Sequence, residues 1–188
     1  MTRVIIKAVP DRGKYIKYLR SRIPEAEFCM DLYRDGWDTF YRSLVLAGDD
    51  ACIHMEEDIL ITEDWRGKIE KAIAERPDTF IQFFSMRKAD LTEGSRYDGD
   101  FIMNQCWYAP KGWSRKMAEY MLPQDPESSK WGYKVGTDRM VHFFLKECMG
   151  SKYWIHCPSL VEHRVGKSVI DPHRSSKRQS LTFTDPAK

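Results

Sequence analysis

The sequence predicts an α/β fold: a mainly parallel sheet flanked by helices. Three observations carry the expectation. Short, β-branched apolar runs alternate three times with segments of helical spacing before residue 85. The runs read as buried strands. Proline and glycine punctuate the boundaries between them. Such alternation implies right-handed crossovers, and therefore strands running mostly the same way with helices on both faces.

In order, residues 4–9 (VIIKAV) form a strand stopped by Pro10. Tyr15, Ile16, Tyr18 and Leu19 recur at helical spacing until Pro24. Residues 27–32 (EFCMDL) make a second strand, and Asp35-Gly36 turns into an amphipathic helix from about Trp37 to Leu46. After the Gly48-Asp49-Asp50 break, residues 51–55 (ACIHM) form a third strand. A helix capped by Thr62 or Asp64 runs through Ile69 and Ile73 to Pro77, and residues 80–84 (FIQFF) give a fourth strand. The remainder is less regular. Residues 88–100 are polar and predict a mobile loop; Gln105 to Tyr108 predict a strand; Pro110 opens a helix reaching about Met121. A second loop covers 123–136, Gly136 or Thr137 caps a helix from Asp138 to Met149, and Gly150 closes it. Residues 153–157 are expected to be the last strand.

The 188 residues suit one domain, and a chain of that length buries about 70% of the surface its unfolded form exposes. The 42% hydrophobic and 13% aromatic content is too high for a disordered chain. Thirty bases against 28 acids leave a net charge of +2, which excludes a uniformly cationic binder. The charge is unevenly placed. Residues 164–188 carry six bases and two acids, a balance of +4, so residues 1–163 sum to −2. A block of that kind meets an anion or is a solvated terminus. Five scattered cysteines (Cys29, Cys52, Cys106, Cys148, Cys157) show no zinc or redox spacing and read as free thiols in a reducing compartment. No apolar stretch approaches the ~20 residues of a membrane span. A soluble, cytoplasmic protein is the expectation.

The informative stretch is His54-Met55-Glu56-Glu57-Asp58-Ile59, three acids directly after a buried strand. Side chains alternate along extended chain, which predicts Glu56 and Asp58 on one side. Ligands of open α/β sheets bind beyond the carboxyl ends of strands, where this cluster falls. Adjacent carboxylates repel, and a hard cation such as Mn²⁺ or Mg²⁺ would balance them while leaving positions for phosphate oxygens. The plainer alternative is a solvated acidic turn at a helix start. In a second stretch, Cys157 to Ser168, His163 follows a short apolar strand and precedes a Gly- and Lys-containing turn. A neutral imidazole can complete a carboxylate metal site, with Arg164 and Lys167 neutralising phosphates; a hydrogen-bonded structural histidine is the alternative. His54, His142, His156 and His173 keep the structural reading.

Together these stretches resemble the glycosyltransferases of GT-A fold. Residues 53–59 (IHMEEDI) are similar to their Asp-x-Asp motif. Residues 158–163 (PSLVEH), followed by Gly166 and Ser168, resemble their carboxy-terminal histidine motif, and residues 178–183 (RQSLTF) resemble the tail of small members. The resemblance covers most of the chain in order, through short motifs. It implies a Rossmann-type nucleotide-binding half (1–85), an acceptor half (86–163) and a basic tail (164–188). Asp58 and His163 would then hold the metal, which would clamp the diphosphate of a donor such as a UDP-sugar. Glu56 and Glu57 would lie toward the donor, as would Arg164, Lys167 and Ser168. Val9, Arg12 and Asp31 would face base and ribose. Glutamates stand at 56 and 57 where the family often has aspartates, which leaves open which acid touches ribose. Asp138 stands where such enzymes place the base that deprotonates the acceptor, or it satisfies a helix start. Trp107, Tyr108, Trp113 and Trp131 are candidates for stacking on a sugar or base, or for the core.

The leading expectation is a metal-dependent glycosyltransferase moving a sugar from a nucleotide donor to a hydroxyl. Hydroxymethylated pyrimidine in phage DNA is one acceptor that suits a basic tail, with the base made accessible. Saccharide, lipid-linked and protein acceptors are the others. Two readings from other classes compete: a metal-dependent phosphoesterase or nuclease, and a non-catalytic nucleic-acid-binding module.

Overall fold

A computed structural model describes residues 1–96, 101, 103–123, 136–150, 152–166 and 178–184. The first half follows the predicted alternation. Strand β1 (Arg3–Ala8) leads through a 3₁₀ turn (Pro10–Arg12) into α1 (Gly13–Arg22). Then come β2 (Glu27–Met30), α2 (Gly36–Ala47) and β3 (Cys52–Glu56). A three-residue strand β4 (Ile59–Ile61) precedes α3 (Trp65–Glu75) and β5 (Ile81–Gln82). Asp35 caps α2 through its side chain, accepting from the Trp37 and Asp38 amides. Asp64 occupies the cap position of α3 without a side-chain cap bond.

Beyond residue 85, β6 (Gly94–Arg96) lies inside the segment predicted as a loop, because it adds to a sheet edge rather than packing an apolar face of its own. Strand β7 (Cys106–Ala109) precedes α4 (Trp113–Met121). Helix α5 (Thr137–Phe144) continues as a π-helical turn over Leu145–Met149, closed by Gly150 at φ 54°. Strand β8 (Tyr153–Ile155) is not the last. A further strand, β9 (Val161–His163), follows it.

Seven strands form one mixed sheet in the order β2-β1-β3-β7-β5-β8-β6. Five run in one direction, while β7 and β6 oppose their neighbours. The expected mainly parallel sheet is present, with β7 inserted antiparallel between β3 and β5. Strands β4 and β9 form a separate two-stranded antiparallel ladder.

Helices cover both faces of the large sheet. On one side Leu19 of α1, Ile23 just beyond it, and Trp65, Ile69 and Ile73 of α3 pack with Val4, Ile6, Ile53 and Met55. On the other, Phe40 and Leu44 of α2, Met117 of α4 and Phe144 of α5 surround Phe80 and Trp107. The Trp107 indole stacks on Phe80 at 5.0 Å and on His54 at 4.2 Å. Trp107 and Tyr108 are buried and belong to the core, and Trp113 packs against the second cluster. Trp131 lies outside the described residues. His54 is fully buried and its Nε2 lies 2.9 Å from Ser114 Oγ, in keeping with a structural role. All five cysteines are free, three of them buried.

Candidate functional site

The acidic stretch falls at the carboxyl end of β3, where the strand stops at Glu56 and the chain bends through Glu57 and Asp58. The bend breaks the alternation expected from an extended chain. Glu56 therefore pairs across the sheet with Lys7, its register partner on β1, at 3.1 Å. Glu57 and Asp58, not Glu56 and Asp58, form the pair. Arg12 Nη1 donates to Glu57 Oε1 at 2.8 Å and to Asp58 Oδ2 at 2.7 Å.

The small ladder brings in the histidine. Ile59 of β4 pairs with His163 of β9, and the Arg164 amide donates to the Asp58 carbonyl at 2.8 Å. His163 Nε2 then lies 3.2 Å from Asp58 Oδ2. Two residues far apart in sequence meet because three residue pairs of backbone hold them together. Sequence reasoning misses β4, and it puts a short apolar strand before His163 where the histidine is itself the end of a paired strand, because three-residue strands give too little periodicity to fix their ends. It does find the two side chains that the ladder joins.

The electrostatics of the acids differ. Burial pushes the Glu57 carboxyl up, assisted by the negative charges of Asp58 and Glu56, to about 7 despite Arg12. Burial also pushes Asp58 upward, but His163 and Arg12 outweigh it and hold that carboxyl at about 2. Asp58 is thus an anion over the whole working pH range, and Glu57 is a group that titrates near neutrality.

The chemistry of these atoms suits a divalent cation. His163 is 1% exposed; among the described residues its Nδ1 has no hydrogen-bond partner and its Nε2 faces only the Asp58 carboxylate. A buried neutral imidazole whose nitrogen faces a carboxylate would offer a nitrogen and an oxygen donor. Among the described residues no group of three His, Cys, Asp or Glu side chains gathers around one point. A metal held here would take its other ligands from water or from phosphate oxygens. Arg12 sits on the Asp58 oxygen that would bind it.

Around this pair lie the other expected residues. Val9 and Asp31 are buried at the ends of β1 and β2, and Asp31 accepts from the Asp35 amide at 2.9 Å. Arg12, expected at base and ribose, is turned instead to the two carboxylates, because a buried acid pair demands a nearby cation. A cleft of about 530 Å³ opens beside His163, lined among others by Lys14, Tyr15, Tyr18, Arg164 and Gln179. The Arg164 guanidinium lies 4.8 Å from the Tyr15 ring centre and 4.7 Å from that of Tyr18. Its Nε donates to the Ile59 carbonyl at 3.1 Å, so the side chain is held in place beside the cleft. Lys167 and Ser168 lie outside the described residues, as do His173 and most of the basic tail.

Residues 178–184 return to the fold. The Ser180 amide donates to Glu162 Oε1 at 2.9 Å, its hydroxyl to Ser159 Oγ at 2.8 Å, and the Ser159 amide to Thr182 Oγ1 at 3.0 Å. This fixes Gln179 at the cleft.

Asp138 occupies the first turn of α5, where its Oδ1 accepts from the Arg139 amide at 3.0 Å. That helix start is tied toward the acidic edge by two residues that sequence reasoning does not single out. Asn104 Nδ2 donates to Thr137 Oγ1 at 2.8 Å, and the Gln105 carbonyl accepts from the Glu56 amide at 3.0 Å. Both amide side chains are buried, with Asn104 Oδ1 and Gln105 Oε1 unpartnered among the described residues. Because β7 runs antiparallel, its beginning lies at the carboxyl end of β3, a placement only topology reveals.

No protein-family model and no curated protein matches the chain. Among solved structures, it is distantly similar to a Bacillus anthracis protein assigned as a glucose-1-phosphate thymidylyltransferase, solved with sucrose bound. The two share 12% identity at a TM-score of 0.41, over 80% of this chain and 68% of that one. A likeness of that degree assigns neither activity nor substrate to this chain.

Proposed function

We propose that this protein is a metal-dependent glycosyltransferase of GT-A type, moving a sugar from a nucleotide donor to a hydroxyl. One observation carries the reading. Asp58 meets a buried His163 at 3.2 Å on the carboxyl edge of the sheet, beside a cleft bordered by Lys14 and Arg164, and His163 Nδ1 has no hydrogen-bond partner among the described residues. The meeting of the two motifs supports the pairing that their order in sequence suggests.

In this reading Asp58 and His163 hold Mn²⁺ or Mg²⁺, and the cation supplies positive charge against the departing diphosphate. Arg164 offers a held guanidinium to phosphate oxygens, with Lys167 and Ser168 as further donor contacts. Glu56 and Glu57 border the donor, and Val9 and Asp31 sit at the strand ends where base and ribose would lie. Asp138 takes the proton from the attacking acceptor hydroxyl. The donor is a UDP-sugar and the acceptor includes hydroxymethylated pyrimidine in DNA. Calorimetry with UDP and Mn²⁺ tests the donor half: no binding, or binding that Asp58→Ala leaves intact, ends the proposal. Labelled UDP-glucose incubated with hydroxymethylated DNA tests the acceptor, and label remaining wholly in donor and free sugar rejects it.

A further inference from the structure

We propose that Arg12 is the resident counter-cation of the Glu57–Asp58 pair, and that a divalent cation takes Asp58 by displacing it. This rests on the reading of Asp58 and His163 as metal donors.

A single nitrogen, Arg12 Nη1, serves both carboxylates, at 2.8 Å to Glu57 Oε1 and 2.7 Å to Asp58 Oδ2. That same Oδ2 faces His163 Nε2 at 3.2 Å, so the oxygen that a metal shared with His163 would take is already donated to from one side. The pair is poorly screened: side-chain exposure is 16% for Arg12, 6% for Glu57 and 13% for Asp58. A guanidinium and a divalent ion on one buried oxygen would repel each other strongly, so the two are alternatives.

Without a metal, two adjacent buried acids need some cation, and Arg12 supplies it from the turn between β1 and α1. A second resting place is within reach. The Arg12 guanidinium lies 5.8 Å from the Tyr15 ring centre, and Tyr15 lines the cleft. Released from Asp58, Arg12 adds its charge to that of Lys14 and Arg164, on the side where a diphosphate would lie. Arg12 is thus a positioning residue that trades one anion for another as the metal arrives.

Mn²⁺ titration of the full chain, followed by electron paramagnetic resonance, tests this with Arg12→Gln and Lys14→Gln. Both substitutions remove one positive charge, but only Arg12 touches Asp58. The expectation is a Kd lowered about tenfold by Arg12→Gln, equivalent to about 1.4 kcal/mol, and changed less than about twofold by Lys14→Gln. Metal-free Arg12→Gln should also melt below the wild type, with saturating Mn²⁺ closing the gap. Binding by Arg12→Gln alone, with the wild type blind to Mn²⁺, supports the exchange equally. Unchanged or weaker Mn²⁺ binding in Arg12→Gln overturns it. If the wild type binds Mn²⁺, Asp58→Asn abolishes that binding and Arg12→Gln changes nothing, the exchange alone falls. If neither protein binds Mn²⁺, the exchange and the metal reading fall together. Should Arg12→Gln fail to fold, Mg²⁺ titration of ¹⁵N-labelled wild type decides. The Arg12 guanidinium resonance must shift as Mg²⁺ binds, and binding without that shift overturns the proposal.

Discussion

Replacing Glu57 with glutamine should make the metal-free protein more stable at pH 8 than at pH 5, relative to wild type. Burial raises the Glu57 carboxyl from 4.5 to about 7. Below pH 4.5 both folded and unfolded chains hold the proton, and the group is neutral to stability. Between 4.5 and 7 the unfolded chain releases the proton while the folded chain keeps it, so stability falls as pH rises. Above 7 the full cost is present, on the order of 3 kcal/mol at roughly 1.4 kcal/mol for each tenfold step. Integrated between pH 5 and pH 8, wild type loses about 2–3 kcal/mol that Glu57→Gln does not. Groups that titrate in both proteins cancel in the comparison, and Arg12 retains Asp58 in the variant. Urea unfolding at pH 5, 6, 7 and 8, with chelator present, measures the difference. Parallel pH profiles for the two proteins would refute the burial argument.

Asp58→Asn should abolish Mn²⁺ binding by calorimetry, because an amide oxygen replaces a carboxylate held ionised down to about pH 2. Asp138→Asn should leave UDP affinity within about twofold while lowering transfer at least about a hundredfold, measured as kcat against donor Kd. Trp107→Ala should destabilise by about 3–5 kcal/mol in urea titrations, since the indole is fully buried between Phe80 and His54. Ser159→Ala should cost about 1–3 kcal/mol in thermal unfolding. It strips the Ser85 amide and the Ser180 hydroxyl of their shared acceptor.

The first half of the fold is legible in the sequence because each strand is a buried run with its own stop. Residues 4–9 and 51–55 announce β1 and β3, and Asp35 marks the start of α2. What escapes the sequence is what depends on distant pairing. Residues 59–61 and 161–163 are too short to show a period, yet their ladder carries His163 to Asp58. The side-chain identities of the site are readable for the opposite reason: three consecutive acids after an apolar strand are conspicuous without any pairing information. Their partners are not. Lys7 reads as an interruption of a strand, and only register sets it against Glu56. Arg12 sits near the strand exit, as expected, but faces acids rather than base and ribose, since sequence does not say which acids are buried together.

The β4–β9 ladder also orders events during synthesis. The amino-terminal strands, the acid pair and its arginine all leave the ribosome before residue 161 exists. A nascent chain can satisfy Glu57 and Asp58 with Arg12 alone, while the nitrogen and oxygen donors join only when β9 docks on β4. If the proposed metal reading holds, cation capture would be withheld until β9 docks, and occupancy of the site would then report a chain synthesised at least through His163.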